Sequence, residues 1–413
     1  MVSARIARFA FERAGKKSKR PFRIVFSDGA EYRNRPEHEP LFTIIFKYPR
    51  AEWRVFLFRP VGIAEGYIMG DLDIEGDIRE LVHFGDDVEG AHRNTLNRIR
   101  NWWHELRFNN HRIEQAKRNA IAHYGLGTEM FRKYLDPTMT YTCAYWKEGI
   151  KTLEEAQRAK LEHVCKKLRL NGGEKLIDIG SGWGSLLFHA YEHYGAMGTN
   201  YSPTSDQNRA MEEEIRRRGL EEKIVVKERD FREVEEEDVG AFDKYVSLGV
   251  YEHAGLFQLE DWIRAMQKVL KPGGIGVLHF IGVIKRDIES TGIFIRKNVF
   301  PGGYLPGISE TLELMDKYRL EVLDIENLRR HYAPTLLAWA QNFDSNWKAI
   351  QALDPKKFDE RFRRRWRFYL YGCSAIFLSE RNSVGLFQIT FSKGKTKDYP
   401  MTRDFLYLPK TGN

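Results

Sequence analysis

Apolar residues in the second half of this chain occur in short runs bounded by glycine, proline or polar turn residues. Runs of about four to eight such residues are typical of buried strands, and the polar stretches between them have helical spacing. The pattern predicts a strand that leads into Asp178 and later strands that reach residues 198–200, 224–226, 245–248, 275–278, 320–325 and 384–391. Strands that alternate with helices in this order predict an α/β fold with a doubly wound sheet, whose ligands collect at the carboxyl ends of the strands.

The amino-terminal part of the chain has a different pattern. Residues 1–115 contain short alternating runs, such as 22–26 and 41–46, separated by turn signals, and they predict a small α+β domain. A polar helical stretch at about 94–117 is the predicted linker. The sheet domain then covers 116–413, with aromatic-rich insertions at about 285–318 and 328–380. Their composition suits the covering of a long apolar substrate.

The segment Lys175-Leu-Ile-Asp-Ile-Gly-Ser-Gly-Trp-Gly184 predicts a strand that turns tightly into a helix and binds a nucleotide. Gly180 and Gly182 permit positive φ and close approach of a ligand, and the helix that opens at Ser185 directs free N–H groups to the same crevice. The dinucleotide pattern G-x-G-x-x-G is not met, because the third glycine falls one residue early, at Gly184. The spacing D-x-G-x-G-x-G favours S-adenosylmethionine, although a glycine-rich turn without a ligand has the same pattern.

A second turn supports a methyltransferase. Lys271-Pro-Gly-Gly274 follows a helical stretch and precedes the apolar run 275–278. A helix end, a Pro-Gly turn and a buried strand form the usual entry to the fifth strand of class I methyltransferases. Two independent turns therefore predict the same fold.

Composition sets limits on the class of protein. The chain has 413 residues, of which 42% are hydrophobic, enough for two domains or for one with large additions. Residues 1–22 contain four arginines and no long apolar stretch, so no signal peptide is expected, and the apolar runs 275–284 and 368–378 are too short for the ~20 residues of a membrane span. Cys143, Cys165 and Cys373 lack zinc or disulfide spacing, and a reducing cytoplasm fits best.

A net charge of +8 predicts an anionic partner, either nucleic acid or an acidic membrane surface. The densest basic patch is 356–367, with seven cations and two anions. Phe362, Trp366 and either Tyr369 or Leu370 recur in and just after it at helical spacing. The segment is therefore either an amphipathic helix at a lipid interface or a solvated helix whose aromatic stripe packs on the core. Since no nucleic-acid-binding signature is evident, a peripheral position on an anionic membrane is expected, and no nucleic-acid partner.

Six motifs are distributed through the rest of the chain: His123-Tyr-Gly-Leu-Gly127, Met139-Thr-Tyr-Thr-Cys-Ala-Tyr-Trp146, Asp178-Ile-Gly-Ser-Gly-Trp-Gly184, Gly249-Val-Tyr-Glu-His-Ala-Gly255, Leu278-His-Phe-Ile-Gly282 and His331-Tyr-Ala-Pro-Thr-Leu336. Together they resemble the cyclopropane-fatty-acyl-phospholipid synthases of the longer bacterial type, over nearly the whole chain. Gly70-Asp-Leu-Asp-Ile-Glu-Gly-Asp77 resembles the amino-terminal domain of those enzymes, which favours unsaturated phospholipids over mycolic chains as substrate. The resemblance implies a class I methyltransferase fold with a seven-stranded sheet, an accessory lipid-binding domain at 1–115, a homodimer and a place at the inner face of the cell membrane.

The resemblance also implies a reaction and its catalytic residues. A cis double bond attacks the sulfonium methyl group of S-adenosylmethionine, and the resulting carbocation loses a proton before the ring closes. The base resembles a bound bicarbonate ion, held by Glu252, His279, Tyr332 and the backbone at Ile281, beside Cys143. Each side chain has an ordinary alternative: Glu252 as a helix cap, Cys143 as a small buried hydrophobe, and His279 as a hydrogen-bonded core histidine.

Ten residues are carried over as contacts of S-adenosylmethionine: Tyr141, Thr142, Asp178, Gly180, Gly182, Gly184, Asn200, Gln207, Asp230 and Phe231. The resemblance implies that Tyr141 and Thr142 contact the cofactor and that the glycines lie under its methionine portion. It also implies that Asp230-Phe231 flanks the adenine. The second strand departs from the family's pattern, because Asn200 stands where a threonine or an acid meets the ribose. No metal is expected.

Three other functions fit parts of the sequence. His189-Ala-Tyr-Glu-His193 matches the H-x-x-E-H pattern of inverted zinc proteases. A lipid-binding protein without activity would retain the fold. A relative that leaves a methyl or methylene branch would retain the same residues, because the fate of the carbocation depends on the exact position of the base.

Overall fold

The computed structural model describes residues 2–88, 94–284, 292–381 and 383–407. Its strands are β1 (Phe22–Val25), β2 (Glu31–Arg33), β3 (Phe42–Phe46), β4 (Leu72–Gly76), β5 (Lys175–Ile179), β6 (Met197–Tyr201), β7 (Ile224–Lys227), β8 (Phe242–Leu248), β9 (Leu270–Val283), β10 (Leu320–Asn327) and β11 (Val384–Lys393). Its helices are α1 (Val2–Gly15), α2 (Pro49–Phe58), α3 (Pro60–Met69), α4 (Ile78–Asp87), α5 (Thr95–Phe108), α6 (Ile113–Tyr124), α7 (Thr128–Arg132), α8 (Leu153–Lys167), α9 (Ser185–Tyr194), α10 (Ser205–Arg218), α11 (Leu259–Val269), α12 (Ile293–Asn298), α13 (Ile308–Lys317), α14 (Arg329–Ser345), α15 (Trp347–Leu353), α16 (Glu360–Leu378) and α17 (Asp404–Tyr407).

The chain forms two compact units. The first comprises Met1–Arg107, Gly292–Val299 and Ala333–Asn382, and the second comprises Phe108–Thr291, Phe300–Tyr332 and Ser383–Asn413. The first unit thus contains most of the amino-terminal region together with most of the second predicted insertion. Residues 285–291 of the first predicted insertion lie outside the described residues. The predicted division into an accessory domain at 1–115 and a catalytic domain at 116–413 stays a prediction.

The first unit is built on a four-stranded sheet of order β2-β1-β3-β4, in which β1 and β3 are parallel and the other pairs are antiparallel. Alternating apolar side chains of β1 and β3, such as Phe22, Ile24, Phe42 and Ile44, are fully buried against the helices of the unit. This burial explains the period-two pattern of the amino-terminal sequence. The predicted small α+β domain is confirmed.

The second unit contains a seven-stranded sheet of order β10-β11-β9-β8-β5-β6-β7. Strands β5 to β9 pair in parallel, and β11 is antiparallel to both of its neighbours. All seven strands coincide with predicted apolar runs, and the central strands β5, β8, β9 and β11 consist mostly of buried residues, as is typical of strands covered on both faces. The predicted doubly wound α/β fold is confirmed.

The predicted Pro-Gly turn lies inside the long strand β9. Leu270 pairs with Phe242, and the next aligned pair is Ile275 with Lys244, so Lys271–Gly274 form a bulge at the entry to the strand. Gly273 has φ of 76°, a left-handed conformation that glycine adopts without strain. From Ile275 onward the strand continues through the centre of the sheet and delivers its carboxyl end to the same edge as β5 and β8.

Most of the basic patch belongs to α16, and the aromatic face of this helix packs within the first unit. Phe362, Trp366 and Tyr369 are buried, so the aromatic stripe packs on the core. Arg364 lies 2.7 Å from Asp73, and Arg367 lies 2.9 Å from Asp344, in ion pairs within the unit. Of the two readings of this segment, the structure supports the one in which the stripe is structural.

Within the described ranges, the helices are all too short or too polar to span a lipid bilayer.

Candidate active site

The turn after β5 has the geometry predicted from its glycines. Gly180 and Gly184 have φ of 85° and 86°, and Gly182 has φ of 60°. A Cβ atom added to Gly180 would lie 2.5 Å from Cγ2 of Val250, so a side chain at this position would clash. The loop leads into α9 at Ser185. The free N–H groups of the first turn of α9 therefore lie at the carboxyl edge of the sheet.

A cavity of the second unit lies beside this loop. Eight of the ten predicted cofactor residues line it: Tyr141, Thr142, Asp178, Gly180, Gly182, Gln207, Asp230 and Phe231. Other lining residues were given no individual role from the sequence, among them Lys160, Trp183, His253 and Trp262. The structure thus brings together residues from seven separate parts of the chain at the edge where a ligand was expected.

The two remaining predicted cofactor residues are not among the residues that line the cavity. Gly184 immediately precedes α9, and a Cβ atom there would lie 2.9 Å from the ring of Phe188. Asn200 is fully buried and supports the loop: its Oδ1 accepts from the N–H of Ser181 at 3.2 Å, and its Nδ2 donates to Asn208 at 3.0 Å. Their predicted contacts with the cofactor stay predictions.

Opposite charges stand at one end of the cavity. Oδ1 of Asp178 is buried without a hydrogen-bond partner among the described residues, and burial raises the pKa of this carboxyl to about 7. Nζ of Lys160 donates to Oγ1 of Thr142 at 2.9 Å, and burial lowers the pKa of this lysine to about 8. Buried ionisable groups require partners. This end of the cavity therefore suits a ligand that carries an ammonium and a carboxylate, as an amino acid does.

The other end of the cavity offers a flat apolar surface beside a fixed carboxylate. The ring of Phe231 packs against Trp262, with centroids 4.4 Å apart. The carboxylate of Asp230 accepts from Nε of Arg232 at 2.6 Å and from the backbone N–H of Arg232 at 3.0 Å. A heteroaromatic base can stack on such a surface, so the geometry agrees with the predicted adenine position.

Aromatic and imidazole rings form another wall of the cavity. Nε2 of His123 lies 3.2 Å from the hydroxyl of Tyr141, and the hydroxyl of Tyr124 lies 3.1 Å from Nε2 of His253. Burial lowers the pKa of His253 to about 4, so its ring is neutral near pH 7. Neutral ring faces attract a cation, which makes this wall compatible with a positively charged ligand centre.

Glu252 lies in a short 3₁₀ turn next to this wall. It is buried, its Oε1 accepts from the backbone N–H of Ile281 at 3.3 Å, and its Oε2 has no hydrogen-bond partner among the described residues. Burial raises the pKa of this carboxyl to about 7. The structure therefore brings two of the predicted catalytic residues, Glu252 and Ile281, together. It leaves Oε2 of Glu252 available to a hydrogen-bond donor.

His279 lies on β9 directly behind the cofactor cavity. Its carbonyl accepts from the N–H of Gly249, a cavity residue, at 2.8 Å. The imidazole is buried, and Nδ1 lies 3.1 Å from Nε2 of Gln388 on β11. Burial, followed by the cations Lys160 and Lys167, lowers the pKa of His279 to about 3, so the ring is neutral.

Cys143 and Tyr332 are both buried in the second unit. Cys143 follows Thr142, which lines the cavity, and its Sγ lies 3.3 Å from the carbonyl oxygen of Ala144. Tyr332 lies in the first turn of α14, next to His331, whose Nδ1 accepts from the backbone N–H of Trp146 at 2.9 Å. The catalytic roles assigned to Glu252, His279, Tyr332, Cys143 and Ile281 stay predictions.

The zinc-protease alternative is not supported by the geometry of α9. Nε2 of His189 lies 3.3 Å from Glu162, and Glu192 pairs with Arg218 at 2.5 Å. The part of the chain that the structure describes has one cluster of three close metal-ligand atoms, and it lies elsewhere, at 235–238. Nζ of Lys227 contacts all three carboxylates of that cluster, which explains why they lie together.

Comparison with known proteins identifies similar sequences and structures. A family model described as mycolic acid cyclopropane synthetase matches residues 111–389. A probable fatty acid methyltransferase of Pseudomonas putida is 31% identical over 397 residues, which are 94% of this chain and 96% of that protein. The cyclopropane-fatty-acyl-phospholipid synthase of Escherichia coli (strain K12) is 34% identical over 285 residues, 68% of this chain and 70% of that protein.

A solved structure has a similar fold over two thirds of this chain. It is the crystal structure of mycolic acid cyclopropane synthase CmaA1 complexed with SAH and CTAB, with a TM-score of 0.61 and 29% identity. The match covers 67% of this chain and 98% of the chain in the solved structure.

Proposed function

This chain belongs to the mycolic acid cyclopropane synthetase family, and we propose that it transfers a methylene group from S-adenosylmethionine to the cis double bond of unsaturated phospholipid acyl chains, forming a cyclopropane ring. Membership makes it an S-adenosylmethionine-dependent methyltransferase that acts on lipid acyl chains. The phospholipid substrate and the ring-shaped product are the proposed part. The observation that carries the proposal is the buried Glu252, whose unpartnered oxygen lies beside the cofactor cavity.

The cavity fits the cofactor at both ends. Asp178 would accept from the cofactor's ammonium group, Gly180 permits close approach of the backbone, and Phe231 offers its ring to the adenine. When bound, S-adenosylmethionine supplies an electrophilic methyl group on a positively charged sulfur. The neutral rings of Tyr141 and His253 along the wall would tolerate this charge without repelling it.

Ring closure requires the removal of one proton, and we propose that a bicarbonate ion accepts it. The unpartnered Oε2 of Glu252 fits the O–H of bicarbonate, since a carboxylate oxygen accepts a hydrogen bond. His279 and Tyr332 would donate to the other oxygens. In a site this deeply buried, each such bond is stronger than in water. Glu252 and His279 thus hold the base and do not themselves take the proton.

The first unit presents an apolar surface suited to a membrane. Ile99, Trp102, Trp103 and Leu106 of α5 are spaced at helical intervals, and all are about half exposed or more, at 47%, 58%, 62% and 52%. Exposed arginines at 98 and 107 flank this stripe. Tryptophan with flanking basic residues favours the interface of an anionic bilayer. We propose that this α5 stripe, not the α16 patch, rests on the phospholipid surface; a homodimer stays a prediction.

Replacing Trp102 and Trp103 together by alanine should weaken binding to anionic liposomes, measured by sedimentation, about 30-fold, because each interfacial indole contributes on the order of 1 kcal/mol. Binding of soluble S-adenosylhomocysteine should not change. Met401→Ala, which removes an exposed apolar side chain of the second unit, serves as the control. Equal liposome binding by the double variant and the parent would reject the α5 stripe as the membrane contact, and dissociation of a dimer would assign it to subunit contact.

The proposed reaction should add one CH₂ per cis double bond when the protein is incubated with S-adenosylmethionine and liposomes of cis-unsaturated phospholipid. Saturated lipids should be inert, because they have no double bond to attack the sulfonium methyl group. Trans lipids should be inert, because their acyl chain lacks the bend of a cis double bond. Mass spectrometry gives the added mass, and proton NMR of the recovered chains distinguishes ring protons from a branch. Unchanged cis-unsaturated chains would reject the proposed activity.

A second outcome has specific support. One relative with similarity over nearly the whole chain is named as a probable fatty acid methyltransferase, and this name does not specify a ring. The same residues would yield a methyl-branched alkene if the proton left from a neighbouring chain carbon. They would yield a methylene branch if a hydride shift moved the cation to the methyl-bearing carbon before the methyl group lost its proton. Recovered chains with the added mass but without ring protons would establish the branching function in place of cyclopropanation.

A further inference from the structure

A row of polar side chains crosses three neighbouring strands of the second unit. His279 on β9 pairs in register with Gln388 on β11, and Gln388 pairs with Glu326 on β10. Directly paired residues of antiparallel strands project from the same face of a sheet. Lys167, at the end of α8, lies against this row: its Nζ donates to Oε1 of Gln388 at 2.7 Å and to Oε2 of Glu326 at 2.6 Å.

The lysine fixes the orientation of the amide. An ammonium group can only donate hydrogen bonds, so the oxygen of Gln388 must face Lys167 and its NH₂ group must face His279. The observed distance of 3.1 Å between Nε2 of Gln388 and Nδ1 of His279 agrees with this orientation. The reversed amide would place its NH₂ against the ammonium, and two buried donors would then oppose each other.

The charges of the row support this orientation of the Gln388 amide. Burial lowers the pKa of Lys167, but the adjacent Glu326 carboxylate acts in the opposite sense and holds the ammonium form. Burial opposes ionisation of Glu326 as well, yet contacts with His163 and Lys167 lower the pKa of this carboxyl to about 2. Glu326 is therefore ionised near pH 7 and compensates the buried lysine. His279 is neutral and carries a single N–H.

We propose that Lys167 and Gln388 are positioning residues that hold His279 in the tautomer with its proton on Nε2. Nδ1 accepts from Gln388, so the ring's one proton resides on the opposite nitrogen. The consequence for catalysis rests on the proposed function: Nε2–H is the donor that a bound anion such as bicarbonate requires. The other tautomer would direct a lone pair at the anion and repel it.

The tautomer can be read without substrate, cofactor or bicarbonate. In protein labelled with ¹⁵N-histidine, long-range ¹H–¹⁵N spectra separate protonated from unprotonated ring nitrogens, and the His279→Gln variant assigns the signal of His279. The parent protein should show Nδ1 unprotonated and Nε2 protonated. In Gln388→Glu, whose carboxylate can only accept, the pattern should reverse. Thr390→Val, an isosteric change farther along the same buried strand, should leave the His279 signal as in the parent.

Kinetics test the consequence separately. Gln388→Glu should raise the bicarbonate concentration for half-maximal turnover about ten-fold or more and lower the turnover at saturating S-adenosylmethionine, while the affinity for S-adenosylhomocysteine stays unchanged. Lys167→Met, which releases the amide, should give a mixture of both tautomers and an intermediate turnover.

A parent protein with Nδ1 protonated would overturn the inference, whether or not any variant folds. Reversal of the tautomer in Gln388→Glu with unaltered bicarbonate dependence would overturn the proposed link to catalysis. A parent enzyme that turns over fully without bicarbonate would reject the anion of the proposed function and leave the tautomer assignment intact.

Discussion

Glu252→Gln should lower turnover by about 10²-fold or more while the affinity for S-adenosylmethionine stays almost unchanged. The carboxylate is buried beside the cofactor cavity, but it is not among the residues that line it. Its Oε2 is the acceptor proposed for the O–H of bicarbonate, and an amide NH₂ in that place would donate where an acceptor is needed. Single-turnover measurements on cis-unsaturated liposomes, combined with calorimetric titration of S-adenosylhomocysteine, separate the loss of chemistry from any loss of binding.

Two comparisons sharpen this test. Glu260→Gln makes the same change at a half-exposed glutamate that pairs with Lys317 on the surface of the second unit, and it should retain full turnover. Removal of bicarbonate from the buffer should reduce the parent enzyme to nearly the rate of Glu252→Gln and should affect the variant little. If the parent keeps its rate in bicarbonate-free buffer, the bound anion is not the base, and Glu252 must be given another role.

The sheet and the cofactor loop could be predicted from the sequence because their signals are local. The run into Asp178 and the glycines after it specify a strand, a tight turn and a helix within ten residues, and the geometry at Gly180 requires a residue without a side chain. The Pro-Gly bulge before Ile275 is equally local. Each of these features is written in neighbouring residues, so no knowledge of the tertiary fold is needed to recognise it.

The buried polar residues behind the site could not be predicted in this way. Lys160 and Lys167 stand seven residues apart on α8, and in the sequence they have the appearance of solvated positions on an amphipathic helix. Both are fully buried, because their partners come from distant segments: Thr142 for the first, Glu326 and Gln388 for the second. Helical periodicity predicts on which face of a helix a residue lies. A polar face that packs against buried polar side chains of the sheet has the same periodicity as a polar face in contact with water.

The surroundings of the basic patch also could not be predicted from the sequence. Its charge density and aromatic spacing are compatible with a lipid interface, yet Arg364 and Arg367 find carboxylates at Asp73 and Asp344 within the first unit. Asn200 is a further buried polar residue whose partner, the backbone N–H of Ser181, could not be predicted from the sequence. In each case the hydrogen-bonding or ion-pair partner is remote in sequence or is a backbone group, so the composition of the segment does not predict it.

Asp178→Asn should weaken binding of S-adenosylhomocysteine by about 10²-fold, since a buried charge-assisted hydrogen bond contributes roughly 1.5–3 kcal/mol. The effect should depend on pH. Burial raises the pKa of Asp178 to about 7 in the free protein, and a ligand ammonium favours the ionised form. Binding therefore releases a proton below pH 7, and the affinity of the parent should fall as the pH is lowered from 7 to 6.

Calorimetry in buffers of different ionisation heat measures both the affinity and the released proton. The comparison should remain below the pKa of Lys160, about 8, so that this neighbouring ammonium keeps its charge throughout. In Asp178→Asn the proton release and the slope with pH should both vanish, because the amide does not titrate. Asp243→Asn, at the opposite end of the sheet where Lys271 pairs with the carboxylate at 2.6 Å, should behave as the parent does. Two results would show that this carboxylate does not bind the cofactor's ammonium group: a parent affinity that is constant between pH 6 and 7, or an Asp178→Asn variant with parental affinity. Either result would reject the proposal that Asp178 and Lys160 together bind the ammonium and the carboxylate of the cofactor.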